Sequence, residues 1–135
     1  MAADTGIRFN SVALTELFFK LNKSFVPPKD GIPIAIAFKT KNSFSPDKKK
    51  LTVLLSVRLF EKTKNRPFDM KVSVEGIFSG KDYKELLKFS KILAPAHLFP
   101  FIREIIGNTT MKANIPPLLL PPVNLLAVRG KKKKS

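Results

Sequence analysis

The sequence has no cysteine, no tryptophan and one histidine, His97. Without cysteine there is no disulfide, no thiolate nucleophile and no sulfur ligand for a metal. A structural zinc site needs four nitrogen or sulfur ligands, which one histidine cannot supply. A hydrolytic triad would have to rest on His97 alone. No GxxxxGKS/T or GxGxxG string occurs, so nothing points to a glycine loop around phosphates. Acids are scarce too: the 135 residues hold 10 Asp and Glu against 25 Lys and Arg, a net charge of +15. They stand singly along the chain, which sets up no acid–base pair. The expectation is no enzyme, no catalytic residue, no cofactor and no metal. The start of the chain lacks a basic stretch followed by a long apolar run. Nor does any apolar run approach the ~20 residues of a membrane span. A cytoplasmic protein is expected.

What is present is a core pattern, with 44% hydrophobic residues, ordinary for a globular domain. We expect a single domain over 1–128 and a disordered lysine-rich tail over 129–135. Ile7 and Phe9 share parity with Leu17, Phe19 and Leu21, whereas Val12 and Leu14 take the other. That parity change predicts one long first strand with a bulge or bend. Pro27, Pro28 and Gly31 break the run. Ile32, Ile34, Ile36 and Phe38 alternate as a second strand. Leu51, Val53, Leu55, Val57 and Leu59 make a third. Phe68, Met70, Val72 and Val74 make a fourth, with Gly76 marking a bulge or a close backbone approach. Short polar links between the second, third and fourth strands suit hairpins, and a four-stranded antiparallel meander is the simplest topology.

After residue 81 the period changes. Tyr83, Leu86, Leu87 and Phe89 fall near helical spacing behind a capping Asp82. Leu98, Phe101, Ile102, Ile105 and Ile106 follow i, i+3, i+4, i+7, so a helix is expected over 99–112 with Pro100 in its first turn. The segment 115–128, IPPLLLPPVNLLAV, is apolar, but its prolines forbid a regular helix through residue 122. Four strands and one main helix form a thin two-layer domain in which the helix covers only part of one sheet face. Such surplus apolar surface marks an oligomer interface or a groove for an extended apolar peptide, unless the proline–leucine segment folds back over the sheet.

Three ordered strings carry a family resemblance. Leu98-Phe99-Pro100-Phe101-Ile102-Arg103-Glu104 resembles the LFP-aromatic-x-RE start of the long helix of SecB, the export chaperone. Pro116-Pro117-Leu118-Leu119-Leu120-Pro121-Pro122-Val123-Asn124 is similar to that family's PxLxLxPVN loop. Gly76-Ile77-Phe78-Ser79 is similar to its GIFS at the end of the fourth strand. The resemblance implies an α+β fold, a four-stranded antiparallel sheet packed with one long helix, assembled as a dimer of dimers through helices and edge strands. It implies an ATP-independent holdase that binds unfolded chains or preproteins in apolar grooves. By position, Ile34, Ile36, Phe38, Ile77, Phe78, Leu118, Leu120 and Leu125 correspond to the client-peptide surface. Phe101, Ile102, Ile105 and Ile106 correspond to the helix at the oligomer interface.

The charge departs from that pattern. Typical members offer an acidic sheet face to the SecA motor and end in an acidic tail. Here Glu16 stands with Lys20 on the first strand, Lys71 replaces the fourth-strand acid, and the tail is Lys131 to Lys134. Reversed charge on a docking face works against the usual partner, so standard transfer to SecA is not expected. The basic surface suits steering toward acidic clients or weak contact with an anionic membrane or nucleic acid. Two other readings stay open: a basic single-stranded nucleic-acid module, and a SecB-like partner devoted to one protein, as in toxin–antitoxin-linked members.

Overall fold

The computed structural model describes residues 6–30 and 34–115. Its elements are β1 (Arg8–Leu21), β2 (Ile36–Phe44), β3 (Lys50–Leu59), β4 (Phe68–Ser79), α1 (Tyr83–Lys91) and α2 (Leu93–Lys112). The strands form one antiparallel sheet in the order β1-β4-β3-β2. The helices lie on one face of it. Leu118, Leu120, Leu125 and the lysine tail fall outside the described residues, as does the proposed domain limit at residue 128.

The hairpins β2–β3 and β3–β4 form as expected, but β1 does not extend a meander. It pairs with β4, so the 22–35 link crosses from one side of the sheet to the other. Pro27 and Pro28 make that link unsuited to a tight hairpin, and β4 offers a matching apolar face. The β2–β3 turn is closed by Asp47, whose carboxylate accepts from the Ser45 hydroxyl at 2.6 Å and the Lys49 amide at 3.0 Å. These bonds, the Ser45 one first, hold its carboxyl below the usual range.

The parity change in β1 is resolved by two register shifts, between Phe9 and Ser11 and between Leu14 and Glu16. Each extra residue restores the apolar set to one face. Phe9, Val12, Leu14, Leu17 and Phe19 then stand opposite Phe78, Gly76, Val74, Val72 and Met70, all on the helix side. β4 continues past Gly76 to Ser79. A Cβ on Gly76 would sit 2.5 Å from Leu98 Cδ2 and 3.1 Å from Phe78 Cε1, so this glycine is the close approach where α2 touches the sheet.

The described residues form two helices, the short α1 where helical spacing is expected and the long α2. Asp82 caps α1 by accepting from the Lys84 amide at 3.0 Å. α2 starts at Leu93, earlier than expected, so Pro95 takes the first turn and Pro100 lies inside the helix. Pro100 and Ala96 both lie on the exposed side, where water can reach the carbonyl that the proline leaves without a donor. Ala94, Leu98, Phe99, Ile102 and Ile106 bury the opposite side against Leu51, Leu55, Val72, Val74 and Phe78. That continuous apolar stripe offsets the missing hydrogen bond.

Candidate functional site

α2 packs over β3 and β4. It meets β1 near that strand's start, where the Phe9 ring lies 6.0 Å from Phe101 and stacks at 4.8 Å on Phe78. Further along β1 the helix-side residues lose their cover: Leu14 is 49% and Leu17 46% exposed. On the same flank of α2, Phe101 is exposed and Ile105 half-buried. A second apolar surface lies before and along β2. Ile34 is 42% exposed and Ile36 is half-buried, while Phe38 is buried in the core beneath them, on Phe99 with ring centroids 5.6 Å apart.

The structure therefore separates the residues singled out from the sequence. Ile34, Ile36 and Phe38 come together at the β2 side. Phe78 is on the helix face but fully buried, under Phe9 and 5.0 Å from the Phe89 ring. Ile77 pairs with Ser11 and Thr52 on the opposite face and is half-buried. Within α2, Ile102 and Ile106 are fully buried against the sheet, whereas Phe101 and Ile105 point to the β1 flank. Sequence reasoning missed the exposure of Leu14 and Leu17. The available signal was geometric: one helix cannot cover the width of four strands.

The outer face of the sheet is polar. Arg58 binds Asp69 through two nitrogens, at 3.0 and 3.2 Å, and Lys71 meets Glu16 at 3.0 Å. Ser56 and Ser73, the next pair along β3 and β4 on this face, share a 2.7 Å hydrogen bond. Ala37, Lys39, Ser56, Arg58 and Lys71 border an open depression of about 390 Å³, with Glu61 at its rim. His97 Nδ1 lies 2.8 Å from the Leu93 carbonyl, and its ring faces Phe89 at 5.4 Å. Among the described residues no group of His, Asp or Glu is placed to hold a metal. Among the described residues no helix is long and apolar enough to cross a membrane.

Comparisons with known proteins agree on one family. The family model described as preprotein translocase subunit SecB matches residues 23–135. An uncharacterised protein of Methanocaldococcus jannaschii is 29% identical over 125 residues, which cover 88% of this chain and 79% of that one. The protein-export protein SecB of Nitrosomonas eutropha is 34% identical over 87 residues, covering 63% of this chain and 54% of its own length. This chain thus matches about half of that relative. Among solved structures, the Mycobacterium tuberculosis SecB-like chaperone in complex with a ChAD peptide from the HigA1 antitoxin superposes with a TM-score of 0.70. That match covers 87% of this chain and 90% of the other, at 16% identity, and so speaks to the fold. The family match over residues 23–135 and the shared α+β architecture establish that this chain belongs to the SecB family.

Proposed function

We propose that the protein is an ATP-independent holdase that works in the cytoplasm and keeps unfolded polypeptides, preproteins among them, from aggregating. The observation that carries this reading is the apolar surface left at the edges of the helix layer, above all Ile34 beside Ile36. Burial of client side chains there would supply affinity at about 25 cal/mol per Å² of apolar area before ordering costs. In this reading Ile34 and Ile36 meet the client, with buried Phe38 supporting them from beneath, and Leu118, Leu120 and Leu125 of the proline–leucine segment, outside the described residues, also contact it. Ile77, on the opposite face, and Phe78, in the core, have no part in it. Leu14, Leu17, Phe101 and Ile105 form the contact with further copies of the chain, in a dimer of dimers. Ile102 and Ile106 support that contact from beneath.

The sheet face that carries Lys71 and Arg58 beside Glu16 and Asp69 has no acidic surplus, which argues against SecA as a partner in its usual form. A second reading is a chaperone devoted to one partner. It is favoured by the mycobacterial structural neighbour, which holds a peptide from an antitoxin. The two readings differ in client range. Mixed without nucleotide with several unrelated proteins diluted from denaturant, the full chain should suppress the aggregation of most of them. Suppression of none would contradict the holdase reading, and suppression of a single one would favour the dedicated partner.

A further inference from the structure

The excess positive charge is not spread evenly. Folding brings lysines from two separate stretches together at one end of the sheet. Lys84, Lys88 and Lys91 share one side of α1, spaced i, i+4, i+7, with Lys81 just ahead of the helix. Lys48 and Lys49 lie in the β2–β3 turn, whereas Lys41 on β2 and Lys50 at the start of β3 alternate to the opposite face and are not part of this surface. Short contacts hold these segments together. Phe44 meets the Tyr83 ring at 5.1 Å, and Lys48 Nζ lies 4.8 Å over the same ring. The Gly80 amide donates to the Lys49 carbonyl at 2.9 Å, and Asn42 donates to the Ser90 carbonyl at 3.4 Å. Lys48, Lys49, Lys81, Lys84, Lys88 and Lys91 are all exposed.

Three carboxylates stand among these six lysines and leave a surplus of three positive charges. Asp47 is engaged by Ser45 and Lys49, Asp82 caps α1, and Glu85 stands 3.9 Å from Lys88. The patch contains no arginine. Arginine is the residue suited to planar, bidentate recognition of individual phosphates, whereas lysine is a hydrated point charge. The one aromatic ring in the patch, Tyr83, is half-buried and covered by Phe44 and Lys48, so it offers no platform for stacking bases. Diffuse lysine charge without a stacking platform matches the headgroup layer of an anionic bilayer better than a nucleic acid strand.

We propose that the α1 face and the β2–β3 turn form a docking surface for anionic lipid headgroups, holding the protein peripherally and reversibly at a membrane. The surface lies at the other end of β2 from Ile34 and Ile36, so it leaves those client residues free.

The test is flotation of the full chain with neutral phosphatidylcholine vesicles and with vesicles containing about 30% phosphatidylglycerol, at about 50 and 300 mM salt. Binding is expected on the anionic vesicles at low salt and not on the neutral ones. The variant Lys81→Gln/Lys84→Gln/Lys88→Gln/Lys91→Gln should lose about a hundredfold in vesicle affinity. A control variant, Lys23→Gln/Lys29→Gln/Lys62→Gln/Lys64→Gln, removes the same charge at the opposite end of the sheet and should lose less than about fivefold. Equal losses in the two variants would overturn the proposal in favour of net charge alone. Failure of the full chain to bind anionic vesicles would overturn it outright. So would binding of a single-stranded oligonucleotide that the first variant abolishes while vesicle binding persists. None of these outcomes bears on client binding, which is read separately.

Discussion

Phe78→Ala should cost about 3–5 kcal/mol of folding stability, a large share of what a domain of this size possesses. The ring has no exposure, stacks on Phe9 at 4.8 Å and meets Phe89 edge-on at 5.0 Å. It also borders the crowded Gly76–Leu98 contact, so the cavity left behind cannot collapse without moving α2 against the sheet. Ile77→Ala, one residue earlier but half-buried on the other face, should cost about 1 kcal/mol. Denaturant unfolding of both variants checks the pair. A Phe78→Ala loss below about 1 kcal/mol would mean that this ring is a surface group and belongs with the client residues after all.

Ile34→Asp should act in the opposite way, with stability kept and unfolded-polypeptide affinity lowered at least about tenfold. Burying an isoleucine against a client is worth about 1.5–3 kcal/mol, and an aspartate there would also have to shed water. Because Ile34 is 42% exposed and precedes β2, its replacement disturbs little of the fold. Titration of a labelled, reduced and permanently unfolded polypeptide against wild type and variant reads the effect. Equal affinity in a variant of unchanged thermal midpoint would remove Ile34 from the client surface.

These two side chains also show where the sequence was legible. Alternation in β3 and β4 is a local signal, and both strands lie where period two placed them. The parity change in β1 demanded a bulge because side-chain period is fixed at two, and two bulges are there. Gly76 was readable as a close approach because a glycine inside a strand has few other uses. Partner choice was not readable. That β1 joins β4 instead of β2 depends on which apolar faces match after a long link, which no window of residues contains. The start of α2 was hidden because Pro95 and Pro100 resemble helix breakers, one tolerated in the first turn and the other on the exposed side.

For the candidate site, motif positions located Ile34, Ile36 and Phe38 together at the β2 side. They could not tell Phe78 from Ile77, since burial depends on which sheet face the helices cover. The lysine patch lay beyond sequence reading for a similar reason. Lys48 and Lys49 become neighbours of the lysines between Lys81 and Lys91 only when the β2–β3 turn meets the start of α1.

The central claim is that apolar contact, not charge, binds the client. The most direct measurement is the affinity of the full chain for an unfolded polypeptide and for a single-stranded oligonucleotide, each followed from about 50 to 500 mM salt. The account predicts polypeptide binding that changes less than about threefold across this range, while any oligonucleotide binding falls steeply. Polypeptide binding that collapses with salt alongside the oligonucleotide would contradict it, and would mean that in this chain the SecB fold works through its charge.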